Sequence, residues 1–425
     1  MGEGARTVLT RLAELRDDLA DLYRDLHAHP ELSFAEVRTS AEVARRLRIS
    51  GAEVTTGVGR TGVVGVLRNG DGPTVLLRAD MDALPVAELT GLPYASTVRA
   101  TGPDGHDVPV MHACGHDVHV TCLLGAIDLL ASARETWSGT VLAVFEPAEE
   151  LGGGAQAMLD DGLYERFGTP DVVLGQHVAP MPAGMVGAHP GPAFAAADAL
   201  LVRMFGRGGH GSRPETTVDP VVMAAATVLR LQTVVSREVA GGDTAVVTVG
   251  SLHAGSKDNV IPGEAELRIN IRSYTPQVRE RVLAAVHRII RAEAVASGAE
   301  REPEITVIDS FPVLVNDPAA TERTHAALRA GIGADLVIDP GPVTGSEDFG
   351  LFATAAGVPG CYWLLGGVDG AAFMAAEVAG TRDRDIPSNH SPHFAPLVQP
   401  TIDTGVSALV HAALEWLGAP SATGR

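Results

Sequence analysis

The chain has 425 residues, 45% of them hydrophobic and 20% charged, enough for two or three domains with ample core. Its formal net charge of −20, from 52 acidic and 32 basic side chains, argues against a nucleic-acid partner or an anionic membrane surface. Lys257 is the only lysine, which rules out a Walker-type phosphate loop and leaves a Schiff-base enzyme a single amine.

Leu9, Leu12, Leu15, Leu19 and Leu22 recur at helical spacing and predict a first helix over Val8 to Leu26, with a second over Ser40 to Leu47. TGVVGVLR and TVLLRADMD read as short apolar strands. VTCLLGAIDLLASA reads as a helix with Val120, Leu123, Leu124, Ile127 and Leu130 on one face. TVLAVFEPAEE and DVVLGQHV are nearly continuous apolar runs, as expected of strands buried on both faces of a sheet with helices between them.

The pattern changes near Asp198. ADALLVRMF, TAVVTVGSL, EAELRINIR and EITVID predict strands; in the third, Leu267, Ile269 and Ile271 alternate with Arg268, Asn270 and Arg272. Asp219-Pro220 and Thr275-Pro276 open helices, and Gly298 ends the second. The order strand, helix, strand, strand, helix, strand is a split βαβ, ferredoxin-like unit. The fold class expected is therefore α/β: residues 193–310 form a small domain inserted into a larger one of residues 1–192 and 311–425, whose mixed sheet lies between helices. A further helix and the strand CYWLLGG resume the larger domain.

Three cysteines, Cys114, Cys122 and Cys361, are too few for a disulfide scaffold and suit a reducing compartment. The opening MGEGARTVLTRLAEL has no basic region ahead of an apolar core, and Arg6 breaks the myristoylation pattern. No apolar run approaches the roughly 18 residues of a membrane span. A cytoplasmic location is expected.

Two segments match GxGxxG. GVGRTG, Gly57 to Gly62, precedes an apparent strand and reads as a hairpin turn, since the dinucleotide signature needs its last glycine to open a helix. GRGGHG, Gly206 to Gly211, lies between a strand and a helix, but the helix signal at Asp219 comes late and Pro214 intervenes. A nicotinamide-dependent oxidoreductase rests on that segment alone.

MHACGHDVHV, Met111 to Val120, gathers His112, Cys114, His116, Asp117 and His119. Asp117 is placed to cap the helix that follows, and the helix dipole is expected to favour the Cys114 thiolate. Other strand ends supply further ligand types: Asp80 and Asp82 after LLRADMD, Glu149 and Glu150 in FEPAEE, His177 in GQHV. In open α/β sheets the carboxyl ends of strands face one crevice, so these groups are expected to meet. SNHSPHF adds His390 and His393.

HAHPELSFAE, RADMDALP, MHACGHDVH, PAEELGGGA, GQHV, GGHGSRP, NVIPGEAELRINIR, GSEDF and NHSPHF, in this order, resemble the dinuclear-metal amidohydrolase branch of the aminoacylase and carboxypeptidase-G metallopeptidases. That branch includes hippurate hydrolases, auxin-amide hydrolases and N-acetyl-diaminopimelate deacetylases, and the likeness spans almost the whole chain. It implies a catalytic domain with an inserted lid that pairs subunits as a homodimer. It implies two divalent ions (Mn, Zn, Co or Ni) on Cys114, His116, Glu150, His177 and His390, with Glu149 as general base. Asp82 would support the site from behind, and Asp80 stands where more distant relatives carry a ligand histidine. In the lid, His210 would contact the substrate carbonyl, in its own or a neighbouring subunit's site. Asn259 and Arg272 would hold an N-acyl amino acid substrate. His112, His119 and His393 are expected to be supporting or structural. His27, His29, His106, His189, His253 and His287 are expected to be ordinary surface or packing residues. Glu146 replaces the branch's usual glutamine; Arg213, Glu215, Lys257 and Ala395-Pro396 also depart from its pattern and bear on substrate identity. A non-catalytic metal- or amide-binding descendant is the third reading, against which Glu149 speaks.

Overall fold

In the computed structural model, which describes residues 3–102 and 105–419, the N-terminal leucine repeat folds as α1, Leu12–Ala28. It buries Leu12, Leu19, Leu22, Tyr23 and Leu26; Glu3–Leu9 is a separate short helix ahead of it. Helix α2, Val37–Ile49, leads to the antiparallel pair β1, Glu53–Val58, and β2, Gly62–Asn69. The connection between them turns through Gly57, Gly59 and Arg60, all at positive φ, so the first GxGxxG is a hairpin. Next come β3, Thr74–Asp80; α3, His116–Ser132; β4, Gly139–Glu146; and β5, Val172–Pro182.

The inserted segment forms β6, Ala196–Phe205; α4, Pro220–Glu238; β7, Ala245–Ala254; β8, Glu264–Ser273; α5, Pro276–Ala296; and β9, Glu304–Phe311. The chain then adds α6, Pro318–Gly331; β10, Gly360–Val368; and α7, Thr401–Trp416. Among the described residues no helix is long and apolar enough to cross a membrane.

Two compact units result. One comprises Met1–Gly191, Val315–Gly341 and Asp348–Arg425, the other Pro192–Leu314 and Pro342–Glu347. The first is built on an eight-stranded sheet ordered β1-β2-β4-β3-β5-β10, then the short strands Val186–Gly187 and Val337–Ile338. β3 runs parallel to β4 and β5, and β10 runs parallel to β5, while β1 and β2 are antiparallel additions. Residues of both parities are buried in β3, β4 and β10, which explains their unbroken apolar runs: both faces are covered.

The second unit has the sheet order β7-β8-β6-β9 with all neighbours antiparallel. Leu267, Ile269 and Ile271 enter its core beside Val278, Val282, Val286 and Ile289 of α5. Asp219 and Thr275 cap α4 and α5 with their side chains, each followed by proline in the first turn. Its extra segment, Pro342–Glu347, is held by backbone bonds between Val343 and Ala193 and between Ala195 and Gly345, and by Arg272 Nη1 donating to Ser346 Oγ at 2.6 Å. No hydropathy signal marks such a recruitment. Gly206 to Gly211 is followed by the single turn Pro214–Thr216, and the next helix belongs to this antiparallel unit, so no glycine there opens a helix.

Arg78, midway along β3, is wholly buried in the first unit. Its guanidinium donates to Asp80 Oδ2 at 2.6 Å, Tyr362 Oη at 3.1 Å, Asp348 Oδ1 at 3.4 Å and to Glu146. Glu146, the departure from the branch's glutamine, is thus a buried counter-charge to Arg78 inside the fold. Breaking such a group strands buried carboxylates. Arg78→Leu should lower stability by about 3–5 kcal/mol, read as a fall in the urea midpoint; an unchanged midpoint would contradict the assigned role.

Candidate metal centre

Three segments of the first unit meet at the candidate site, two of them outside the parallel strands and one within β5. The loop Met111–Gly115 enters α3 through Gly115, whose φ is +81°; a Cβ there would lie 2.3 Å from Val178 Cγ1. Only glycine fits that entry, and it puts Cys114 before the helix and His116 at its first turn. Past β4, Ala148 adopts φ +51° and the backbone turns into the short helix Glu149–Leu151. Glu36, buried, fixes that turn by accepting from Ala148 N at 2.8 Å. His177 lies in the middle of β5, which runs on to Pro182, instead of at the strand's end as expected. Strand alternation sends Gln176 the other way, where its Oε1 accepts from Trp363 Nε1 at 3.1 Å.

Sγ of Cys114 and ligand atoms of His116 and Glu150 all lie within 4.8 Å of one another. His177 Nε2 is 3.5 Å from Cys114 Sγ, and His390 Nε2 is 3.3 Å from Glu150 Oε1. The five residues expected as ligands therefore share one cleft. Glu149 is beside them, its Oε2 3.8 Å from His116 Nε2. His116 Nε2 and Glu150 Oε1 are buried and have no hydrogen-bond partner among the described residues.

Asp82 organises this arrangement. Its Oδ1 accepts from His116 Nδ1 and Glu149 N, each at 3.2 Å; its Oδ2 accepts from Ser33 Oγ at 2.6 Å and Glu150 N at 3.1 Å. One carboxylate thereby aims the His116 ring and fixes both glutamates, a common support for metal-binding histidine. His177 Nδ1 donates to Val178 O at 2.8 Å, which frees Nε2 to accept or ligate. His119, by contrast, is fully engaged: Nδ1 donates to Asp80, and Nε2 accepts from Val178 N at 2.7 Å. Asp80 is itself held by Arg78, so the two form a brace behind the site.

Electrostatics favour a cation. Burial pulls the His116 imidazole down, but Asp80, Asp82 and Glu150 outweigh it and hold its pKa at about 10. Burial, then His119, keep His177 well below the ordinary histidine range and neutral. Thiolate, imidazole and carboxylate together suit borderline divalent metals. The donor set, the unpaired ligand atoms and the surplus of carboxylate fit such an ion.

Several expectations need correction. Burial, reinforced by Glu150, Glu149 and Asp80, raises the Cys114 thiol well above its usual range, so the helix dipole does not make a free thiolate. Asp117 does not cap α3; it lies in the first turn and faces α1. His27 is no ordinary packing residue. It is buried between two carboxylates, Nδ1 bonding Asp117 Oδ2 at 2.7 Å and Nε2 bonding Glu88 Oε1 at 3.0 Å. His112 is buried with both ring nitrogens unpartnered among the described residues, and burial depresses it to about 4. His393 donates from Nδ1 to Leu89 O at 3.0 Å, tying down the His390 loop. His210, Asn259 and Arg272 belong to the second unit. There His210 Nδ1 accepts from Ser212 N at 3.1 Å, Gly211 N donates to Asn259 O at 2.9 Å, and Arg272 Nε donates to Asn270 Oδ1 at 2.9 Å. The sequence reading missed Glu36, Arg78, Asn389 and Ser33; two of them stand in HAHPELSFAE, whose acidic and hydroxyl positions were the available signal.

The model of Peptidase family M20/M25/M40 matches residues 76–413. The chain belongs to this family. It is similar to thermostable carboxypeptidase 2 of Saccharolobus solfataricus, 37% identical over 83% of this chain and 86% of that one. It is also similar to the hippurate hydrolase of Campylobacter jejuni, 36% identical over 81% of this chain and 87% of that one. Among solved structures it resembles a dinuclear metal binding peptidase of the M20 family from Bacillus subtilis, with a TM-score of 0.75, 28% identity, and 95% and 99% of the two chains covered. This M20 chain is a metal-dependent amidohydrolase with divalent metal as its cofactor.

The His27 clamp makes a signed prediction for the metal-free M20 protein. Although burial lowers the His27 pKa, hydrogen bonds to Asp117 and Glu88 raise it to about 10. A raised histidine contributes stability that is complete below its unfolded value of about 6.5 and is lost as pH climbs toward the folded one. Asp117 and Glu88 are depressed, so their share is lost on acidification. Urea unfolding should therefore show stability declining from neutral pH to pH 10 in the parent and a weaker decline in His27→Gln. Equal slopes would disprove the clamp.

Proposed function

We propose that this chain hydrolyses the amide bond of N-acyl amino acids or related small amides, as the name of its hippurate-hydrolase relative suggests. Cys114, His116, Glu150, His177 and His390 would hold two divalent ions of Mn, Zn, Co or Ni. The observation that carries this reading is the meeting of a thiol, an imidazole and a carboxylate within 4.8 Å, beside a second glutamate. When bound, such ions supply polarisation of the amide carbonyl and acidification of a water to a pKa of about 7.

The protein groups do the rest. Glu149, with its backbone N fixed by Asp82, takes the proton of the attacking water on its carboxylate and delivers it to the departing amine nitrogen. Because Ser212 N donates to His210 Nδ1, that nitrogen is an acceptor and Nε2 carries the ring hydrogen, the arrangement needed to donate to a carbonyl oxygen gaining charge. Asn259 and Arg272 would hold the substrate; bonds to Asn270 and Ser346 already fix the Arg272 guanidinium. We further propose a homodimer through the second unit. There β7 is a ten-residue edge strand with Val246 and Leu252 exposed, and α4 exposes Val222 and Leu229. A cytoplasmic location fits three buried, unpaired cysteines.

A hydrolysis screen over N-acetyl, N-benzoyl and indole-acetyl amino acids, run with each of the four metals, tests the reading; no turnover on any of them would refute it. Glu149→Gln should retain metal and lose about 10²–10⁴-fold in kcat, whereas Glu150→Gln and Cys114→Ala should lower bound metal. The opposite pattern would exchange the two glutamates' roles, and unchanged stoichiometry in Cys114→Ala would remove sulfur from the site. His210→Ala should keep its metal and slow turnover by about 10²–10³-fold; unaltered kinetics would end its assigned role.

A further inference from the structure

Asn389 precedes His390, yet its side chain turns away from that histidine toward two other ligand-bearing segments. Its Nδ2 donates to the carbonyl of Cys114 at 3.2 Å and to the carbonyl of Val178 at 3.1 Å. The same nitrogen lies 3.7 Å from Cys114 Sγ. Both oxygen partners are pure acceptors, so only the amide nitrogen can occupy this place, and the orientation of the Asn389 amide follows.

The two carbonyls come from different parts of the fold. One closes the loop that enters α3; the other is on β5, one residue past His177. The Val178 carbonyl is also the acceptor for His177 Nδ1 at 2.8 Å, the bond that leaves His177 Nε2 facing Cys114 Sγ. A single amide thus joins the backbones next to Cys114, His177 and His390.

The His390 segment needs such a tether. Its φ is +70°, a region that residues other than glycine seldom adopt, and its side chain is 57% exposed, so it has little packing of its own. Its backbone N donates to Ala113 O at 2.8 Å, in the same loop that Asn389 grips. Alanine at 389 would keep the helix, sheet and all five ligand types, and would remove the donors that set their spacing.

We propose that Asn389 is a positioning residue, which holds Cys114 and His177 in register with His390, so that a cation finds its ligands already gathered. This rests on the ligand reading given above. Supporting partners of metal ligands are typically worth about 10–100-fold in metal affinity, and that is the effect expected here.

The test titrates metal-free protein with Co²⁺, following the thiolate-to-cobalt charge-transfer absorption and the number of ions bound. Asn389→Ala and Asn389→Leu are compared with the parent; leucine keeps the volume without a donor, so it serves if alanine at this half-buried junction fails to fold. Both variants should bind Co²⁺ about 10–100-fold more weakly and give a diminished or shifted thiolate band, with the circular dichroism of the metal-free protein unchanged. Parent-like affinity with a full, unshifted band in Asn389→Leu would overturn the proposal. Absence of the thiolate band in the parent itself would instead overturn the assignment of Cys114 as a ligand, and this proposal with it.

Discussion

Buried negative charge without enough positive charge to match it is the constraint from which the site follows. Asp80, Asp82, Glu149 and Glu150 surround His116, and Asp80, Asp82 and Glu150 hold its imidazole at about 10 against the pull of burial. Desolvated carboxylates are stable only when paired or when they enclose a cation. Arg78 answers for Asp80, and Asp82 is satisfied by four donors. Glu150 Oε1 and the outer nitrogen of His116 have no hydrogen-bond partner among the described residues, and ligand atoms of both residues lie within 4.8 Å of the Cys114 sulfur. A divalent ion resolves this imbalance, and the family's metal dependence is its chemical expression.

The surrounding structure makes that arrangement rigid before any ion arrives. Glycine at 115 admits the loop against Val178, Glu36 locks the turn ahead of Glu149, and His119 fixes the β5 backbone where His177 and Asn389 both attach. Each brace comes from a different segment, so the ligands are positioned by the tertiary fold and by no single loop. Ligand spacing enforced in this way lowers the ordering cost of binding.

Much of this was legible in the chain. Unbroken apolar runs announced strands covered on both faces, and the alternation in EAELRINIR announced the half-exposed sheet of the second unit. Ligand types at three strand ends pointed to one crevice. What the sequence did not reveal has a common physical cause: pairings between distant segments leave no local periodicity. His27 read as packing because its partners lie 61 and 90 positions away. Asn389 had no visible task because its acceptors are backbone carbonyls of other segments. The recruitment of Pro342–Glu347 into the second unit was hidden for the same reason. The thiol of Cys114 was misjudged because a helix dipole can be read from sequence, whereas enclosure among carboxylates cannot.

X-ray absorption at the metal edge, on protein reconstituted with zinc, interrogates the centre directly. A first shell containing one sulfur together with nitrogen and oxygen donors is the result the account predicts, and the proposed second ion would add a metal neighbour at roughly 3.5–4 Å. A shell of nitrogen and oxygen alone would mean that Cys114 stands outside the centre, and the account built on its convergence with His116, Glu150, His177 and His390 would fail.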